Sequence, residues 1–255
     1  MEPLVWGGEM REVWRMWNYS TMVVLTVLTA GIFAAILIPF KGIPLIPGYT
    51  ELRPANVIPL VFGLLFGPAG AWGAALGNLI GDFFGTLGVG SLFGFGGNFL
   101  AAYLPYKMWG ARPLTRIKGQ VPRFILTVFL GAMGCALAVG FGLEAVQLLP
   151  FSVIAVAILF NNALITLILG PFLLALLAPR VSRWDLYWME LMDPEDRPPG
   201  PAPRLGLSLA WLGAGGGFLL GLGLSLGLIP GAGLPSLPVV LAPFVALLLL
   251  GCVLM

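Results

Sequence analysis

Histidine is absent from the 255-residue sequence, cysteine occurs only twice, and charged residues make up 9% of the chain. The lack of histidine excludes histidine-ligated zinc, nickel, cobalt or haem sites and a histidine proton relay. Cys135 and Cys252 stand far apart inside apolar runs, so we expect both to be small buried side chains. The sequence therefore predicts no metal site and no cofactor.

Motifs for catalysis and for nucleotide binding are also missing. No glycine is followed by Lys-Ser or Lys-Thr, so the chain has no P-loop for ATP. It has no H-E-x-x-H motif and no convincing nucleophile elbow of the G-x-S-x-G type. The net charge of +2 is too small to indicate nucleic acid as a partner. We therefore expect neither an enzyme nor a nucleic-acid-binding protein.

Apolar residues are abundant, at 59% of the sequence, and 36 residues are glycine. A soluble domain has about 25% charged residues, so this chain has too few to cover a water-exposed surface. Its apolar runs are continuous rather than alternating, and lipid leaves no partner for an unpaired backbone amide. The sequence therefore predicts an all-α polytopic membrane protein in contact with membrane lipid.

Eight segments are predicted to be membrane spans, since about 20 apolar residues cross the hydrocarbon core. Gly67-Pro68-Ala69-Gly70 breaks one apolar run into a short span and a second span joined by a tight turn. The predicted spans are 20–40, the two parts of 57–84, 91–106, 124–141, 151–177, 205–229 and 237–255.

The spans divide into a core of six and a C-terminal pair. We expect an N-terminal cytoplasmic or interfacial segment (1–19), a six-helix substrate-binding core (20–178), a linker (179–204) and a C-terminal helical hairpin (205–255). The linker is charged and rich in proline, which is typical of a cytoplasmic tether. Two tyrosines near a helix end, Tyr103 and Tyr106, fit an aromatic belt at the membrane interface better than a pocket.

Basic residues are distributed unevenly over the predicted loops. With the N-terminus in the cytoplasm, eleven lysine and arginine residues lie inside and only Lys41 and Arg53 lie outside. The positive-inside rule then predicts a multi-pass protein of the cell membrane with both termini in the cytoplasm.

Polar side chains within the spans are few, so each is a candidate for function. Asp82 is the only acid well inside an apolar span, and Asn78 lies one turn before it on the same helix face. In the proposed orientation these residues approach the outer side, where the first outer loop also lies. The candidate substrate-binding residues are Glu51, Arg53, Asn56, Asn78, Asp82, Asn98, Asn161 and Asn162.

Each of these residues could instead have a structural role. Asparagines in membrane helices often hydrogen-bond to a neighbouring helix, at about 1 kcal/mol each. Asp82 could instead be an N-cap or pair with Arg53, and the loop residues Glu51 and Arg53 could simply be solvated.

Small residues recur every fourth position on two predicted helices. Ala30 and Ala34 do so on the first, and four glycines from Gly73 to Gly85 do so on the third. Such stripes let another helix approach closely, either a partner protein's helix or one of this chain.

Three runs of residues resemble those of a known family. They are Glu51-Leu52-Arg53-Pro54-Ala55-Asn56, the F-G-L-L-F-G-P-A-G run at 62–70, and the G-N-L-I-G-D run at 77–82. Together they resemble the substrate-binding S components of energy-coupling factor (ECF) transporters, over residues 20–177. An A-x-x-x-A motif is also frequent in the first helix of that family, and Ala30 and Ala34 match it.

The resemblance implies a binding and translocation subunit. An S component binds a vitamin, a vitamin precursor or a metal ion from outside, under the first outer loop, here 41–56. It docks on a transmembrane coupling protein that two cytoplasmic ATPases drive, and Ala30 and Ala34 would form the docking face. Asp82, Asn98 and Asn161 would lie in the pocket.

Two features depart from the family pattern. Members that carry nickel or cobalt use an N-terminal histidine, which this chain lacks, so a metal cargo is not expected. The C-terminal hairpin lies outside the usual core. The alternative function is a self-sufficient secondary transporter or channel for a small solute, in which Asp82 and the asparagines would hold a coupling ion.

Overall fold

Helices make up 82% of the computed structural model, which describes residues 10–46, 50–85, 87–112, 114, 119–231 and 233–255. Five helical segments within this part of the chain are long and apolar enough to cross a membrane. They are Ser20–Gly42, Val121–Ala145, Phe151–Leu191, Pro203–Ser225 and Leu237–Leu254. The predicted all-α polytopic membrane fold is therefore confirmed.

Along the chain, the described residues form helices and a single two-stranded ribbon. The helices are α1 (Arg11–Arg15), α2 (Ser20–Leu37), α3 (Val57–Phe66), α4 (Pro68–Asp82), α5 (Val89–Trp109), α6 (Val121–Ala145), α7 (Phe151–Arg183), α8 (Trp188–Leu191), α9 (Pro203–Trp211), α10 (Gly217–Ser225) and α11 (Leu237–Leu254). Strands β1 (Pro44–Ile46) and β2 (Thr50–Glu51) pair antiparallel between α2 and α3. A π-helical turn, Leu212–Gly216, joins α9 and α10.

The helix break expected near Gly67 separates α3 from α4. Gly67 has φ 55°, a conformation that glycine adopts readily, and Pro68 begins α4. With 10 residues, α3 is about 15 Å long, which is half of a hydrocarbon core of about 30 Å. A helix this short does not extend along the full length of the bundle, so space remains beyond its first residue.

Helices α2 and α4 run parallel in close contact. Gly73, Gly77 and Gly81 face α2, and a Cβ atom at Gly77 would lie 2.8 Å from the carbonyl oxygen of Ala30. Ala30 and Ala34 are 5% and 4% exposed, so their side chains pack inside the chain. The small-residue stripes on both helices thus serve packing within this chain, which is one of the two alternatives that the sequence allowed.

The C-terminal hairpin packs against the core. The rings of Phe151 on α7 and Phe218 on α10 lie 6.3 Å apart, and the Tyr103 hydroxyl donates to the Cys252 carbonyl at 2.8 Å. Tyr103 and Tyr106 are 0% and 2% exposed. Their predicted place in an aromatic belt is therefore wrong, because both rings are used inside the bundle.

The linker is packed against the rest of the chain rather than extended as a tether. Helix α7 continues through Arg183, and Trp188 and Met192 are buried. The Tyr19 hydroxyl lies 3.0 Å and 2.9 Å from carboxylate oxygens of Asp193 and Asp196. These contacts, between segments more than 170 residues apart, fix the linker beside the start of α2.

Helix α1 is anchored at the same end of the bundle. Glu12 is 1% exposed, and its carboxylate lies 2.7 Å from the Lys107 ammonium at the end of α5. The indole N–H of Trp72 donates to the Val13 carbonyl at 2.9 Å. We call this the terminal end of the bundle, because the C-terminal Met255 also lies here, where its carbonyl accepts from Gly200 N–H. Residues 1–9 of the predicted N-terminal segment are outside the described residues.

Candidate functional site

A cavity of about 530 Å³ lies opposite the terminal end, beyond the first residue of the short helix α3. Seven of the eight predicted site residues line it, and they come from four separate parts of the chain. They are Arg53, Asn56, Asn78, Asp82, Asn98, Asn161 and Asn162. The eighth, Glu51, belongs to β2, and its side chain is outside what the structure describes.

The α4 wall of the cavity carries a chain of polar contacts. The Arg53 guanidinium donates to Asn78 Oδ1 at 2.9 Å, and Asn78 Nδ2 donates to Asp82 Oδ2 at 3.1 Å. The other Asp82 oxygen lies 3.4 Å from the Lys41 ammonium. Asn78 and Asp82 can both contact these loop residues because one helical turn places them on the same face.

Helix α7 holds the start of α3 through amide contacts. Asn161 Oδ1 accepts from the Arg53 backbone N–H at 3.1 Å, and Asn162 Oδ1 accepts from Asn56 Nδ2. The Thr166 hydroxyl donates to the Asn56 carbonyl at 3.3 Å. Asn56 is 8% exposed, and its Oδ1 atom has no hydrogen-bond partner among the described residues. Asn56 thus closes the inner end of the cavity against α7.

Helix α5 approaches α4 closely where it borders the cavity. A Cβ atom at Gly94 would lie only 2.9 Å from Asn78 Nδ2. The absence of a side chain at Gly94 therefore allows α5 to approach α4 this closely. Asn98, one turn later, donates to the Gly94 carbonyl at 2.9 Å. Ser91, on the same helix, is 4% exposed and also lines the cavity.

The rest of the lining is apolar. It is formed mainly by side chains of α6 and α7, and Cys135 lies among them. The apolar lining residues are Leu87, Val89, Val139, Leu143, Leu148, Ile154 and Ile158. A site with both polar and aliphatic lining suits a small solute that has hydrogen-bonding groups and apolar surface.

The charges at the site are largely shielded from solvent. The Lys41 and Asp82 side chains are 10% and 6% exposed, and such pairs interact more strongly than pairs in water. In chemical terms the described lining offers one carboxylate, amide donors and acceptors, and nearby cations, which together can bind a small polar molecule.

Sequence reasoning missed three contributors to the site. Lys41 was assigned to the outer loop only, although as one of two basic residues on that side it was a candidate partner for Asp82. Cys135 was expected to be a buried side chain and is 3% exposed, but it borders the cavity. Nothing local in the sequence distinguishes Ser91.

A family model, described as QueT transporter, matches residues 23–179 of the chain. No curated protein and no solved structure matches the chain. The matched region contains every residue of the cavity described above and ends before the C-terminal hairpin begins. The match confirms the resemblance to S components: the chain belongs to the QueT transporter family, S components of ECF transporters for a queuosine precursor, and is a membrane transporter subunit for a small solute.

Proposed function

We propose that the 530 Å³ cavity binds a queuosine precursor from outside the cell and that the chain delivers it inward as part of an ATP-driven ECF importer. The observation that carries this proposal is the convergence of seven charged or amide side chains on one cavity of a largely apolar bundle. The chain changes the solute's location and not its covalent structure, so we infer no enzymatic activity.

The chemistry of the cavity supports this substrate class. The base of a queuosine precursor is a 7-deazaguanine, which is flat and has N–H donors beside a carbonyl acceptor. The Asp82 carboxylate offers an acceptor, and the amide groups of Asn98 and Asn161 border the same space. The aliphatic side chains of α6 and α7 would contact the faces of the ring.

The orientation follows from the distribution of basic residues. The predicted cytoplasmic segments hold eleven of the thirteen lysine and arginine residues, and contacts gather helix α1, the linker and Met255 at the terminal end. We infer that the terminal end faces the cytoplasm and that the cavity faces outward.

Coupling to ATP hydrolysis requires other chains. We infer docking on a transmembrane coupling protein with two cytoplasmic ATPases through α2, as the resemblance implies. Ala30 and Ala34 are buried against α4, whereas Gly31 and Ala35 are exposed on the opposite face of α2. We therefore place the direct docking contacts at Gly31 and Ala35, with Ala30 and Ala34 supporting that helix from inside.

Titration calorimetry with a 7-deazaguanine precursor and the purified full-length protein tests the site. Asp82→Ala is expected to weaken binding about 10- to 100-fold, since a hydrogen bond to a charged group contributes ~1.5–3 kcal/mol. Thr29→Val is the matched control: Thr29 is 0% exposed, and its hydroxyl donates within its own helix, away from the cavity. Equal affinity of wild type and Asp82→Ala would make Asp82 structural. Uptake by proteoliposomes that hold this chain alone would support the alternative of a self-sufficient transporter or channel.

A further inference from the structure

The first turn of α7 forms part of the cavity wall. Ile154 is 2% exposed and lines the cavity, and it lies in the turn that begins at Phe151. The first backbone N–H groups of a helix have no partners within that helix, so other groups must accept their hydrogen bonds. The N-cap residue of α7 is Pro150, whose side chain has no acceptor atom. The acceptors for Phe151 and Ser152 must therefore come from elsewhere in the chain.

Two side chains supply these acceptors. Glu144, on the last turn of α6, accepts from the Phe151 backbone N–H. Ser225, the last residue of α10, accepts from the Ser152 backbone N–H at 3.2 Å, and its hydroxyl donates to Ser152 Oγ at 2.9 Å. One acceptor therefore belongs to the core, and the other belongs to the C-terminal hairpin, 73 residues later in the chain.

The same hairpin helix also holds the Phe151 ring. The ring is 0% exposed and lies between two glycines, Gly140 of α6 and Gly221 of α10. A Cβ atom would lie 2.9 Å from the ring at Gly140 and 2.7 Å from it at Gly221, so only glycine allows both helices to approach the ring this closely. The start of α7 is thus enclosed between a core helix and the hairpin.

Helix α6 also lies between the cavity and the hairpin. Cys135 and Val139 line the cavity, whereas Leu137, which is 0% exposed, contacts the hairpin. A Cβ atom at Gly217 of α10 would lie 3.0 Å from the Leu137 side chain. The hairpin therefore supports, from behind, the wall that α6 and α7 present to the cavity.

We propose that the C-terminal hairpin is a positioning element of the solute site, in which Ser225 caps α7 and Gly221 seats the Phe151 ring. Because these contacts fix the first turn of α7, they hold Ile154 and the cavity wall in place, and solute affinity depends on them. The family model ends at residue 179, so this role goes beyond the function that the match indicates. The proposal relies on the proposed function in taking this cavity as the solute site.

Hydrogen–deuterium exchange of the full-length protein in lipid nanodiscs, without solute, tests whether Ser225 fixes α7. Ser225→Ala is expected to accelerate the exchange of the amides in residues 151–155 about fivefold, because the cap of this turn is lost. Ser225→Thr keeps the hydroxyl and is expected to stay within about twofold of the wild type. Ser208→Ala is the matched control and is expected to leave this exchange unchanged, because the Ser208 hydroxyl donates to the Arg204 carbonyl within α9.

Titration calorimetry with the 7-deazaguanine precursor tests whether the fixed wall determines affinity. Ser225→Ala is expected to weaken binding about fivefold, because the site is no longer preorganised, and Ser208→Ala is expected to leave affinity unchanged. Gly221→Ala is a second variant, which displaces α10 from the Phe151 ring and is expected to weaken binding equally. Gly215→Ala is its control, expected to bind like the wild type, because the nearest atom to a Cβ atom there would be 3.8 Å away.

Unchanged exchange in Ser225→Ala, or wild-type affinity in both Ser225→Ala and Gly221→Ala, would overturn the proposal. Equal losses of affinity in Gly221→Ala and Gly215→Ala would also overturn it, since the contact with Phe151 would then be irrelevant. If the wild-type protein binds no 7-deazaguanine, the proposed function fails. The exchange measurement needs no solute, so it still decides whether the hairpin fixes the cavity wall.

Discussion

The contact between α2 and α4 leads to a prediction in which the same substitution destabilises the protein at one glycine and has almost no effect at another. Gly77 of α4 faces α2, and a Cβ atom there would lie 2.8 Å from the Ala30 carbonyl oxygen and 2.9 Å from Phe33 Cβ. Both distances are well below van der Waals contact, so the helices must separate to accommodate a side chain. Gly31 of α2 faces outward, and a Cβ atom there would meet nothing within 4 Å.

We expect Gly77→Val to lower the free energy of unfolding and Gly31→Val to leave it nearly unchanged. Overpacking of a close contact costs about 1–3 kcal/mol, whereas a surface substitution usually stays within about 0.5 kcal/mol. Both variants replace glycine by valine within a helix, so the change in helix propensity cancels between them. A loss of about 2 kcal/mol corresponds to a melting temperature lower by about 4–8 °C in a chain of this size.

Thermal unfolding of the two purified variants, followed by tryptophan fluorescence in the same detergent, measures this difference. Because α4 also carries Asn78 and Asp82, Gly77→Val is expected to weaken solute binding as well. Equal melting temperatures for the two variants would refute the close packing of α2 on α4, and with it the reason for the glycine stripe.

Two further predictions concern docking and the C-terminal hairpin. Gly31→Leu changes the exposed face of α2. It is expected to reduce ATP-dependent uptake by the reconstituted complex at least tenfold and to leave the solute affinity measured by calorimetry unchanged. An equal loss of uptake and of affinity would argue against docking at this face. Tyr103→Phe removes the hydrogen bond to the Cys252 carbonyl and is expected to lower stability by about 0.5–1.5 kcal/mol without changing solute affinity. Denaturant unfolding checks the stability change, and an unchanged free energy of unfolding would show that the bond does not hold the hairpin to the core.

The polar residues of the site were identifiable from the sequence because ionisable and amide side chains are costly inside a membrane. That reasoning selected Asn78, Asp82 and Asn161. It did not show that Asn161 contacts the same cavity as Asp82, which lies 79 positions earlier in the chain. The structure brings them to one cavity, because the short helix α3 leaves space that α4 and α7 border. Their roles as ligand contacts stay predictions.

The sequence by itself determined the all-α membrane class of the protein and the break at Gly67, because the length of apolar runs and the conformational limits of glycine and proline are local properties. It predicted eight spans, of which the described residues contain five that are long and apolar enough to cross a membrane. Only the tertiary structure decided which face of α2 is buried, since lipid and protein interior are equally apolar and leave no periodic mark on the sequence. The same holds for Lys41, whose pairing with Asp82 joins residues 41 positions apart, and for the linker, which contacts between Tyr19 and two distant aspartates hold in place. Each of these depends on contacts between segments far apart in the chain, which no local pattern encodes.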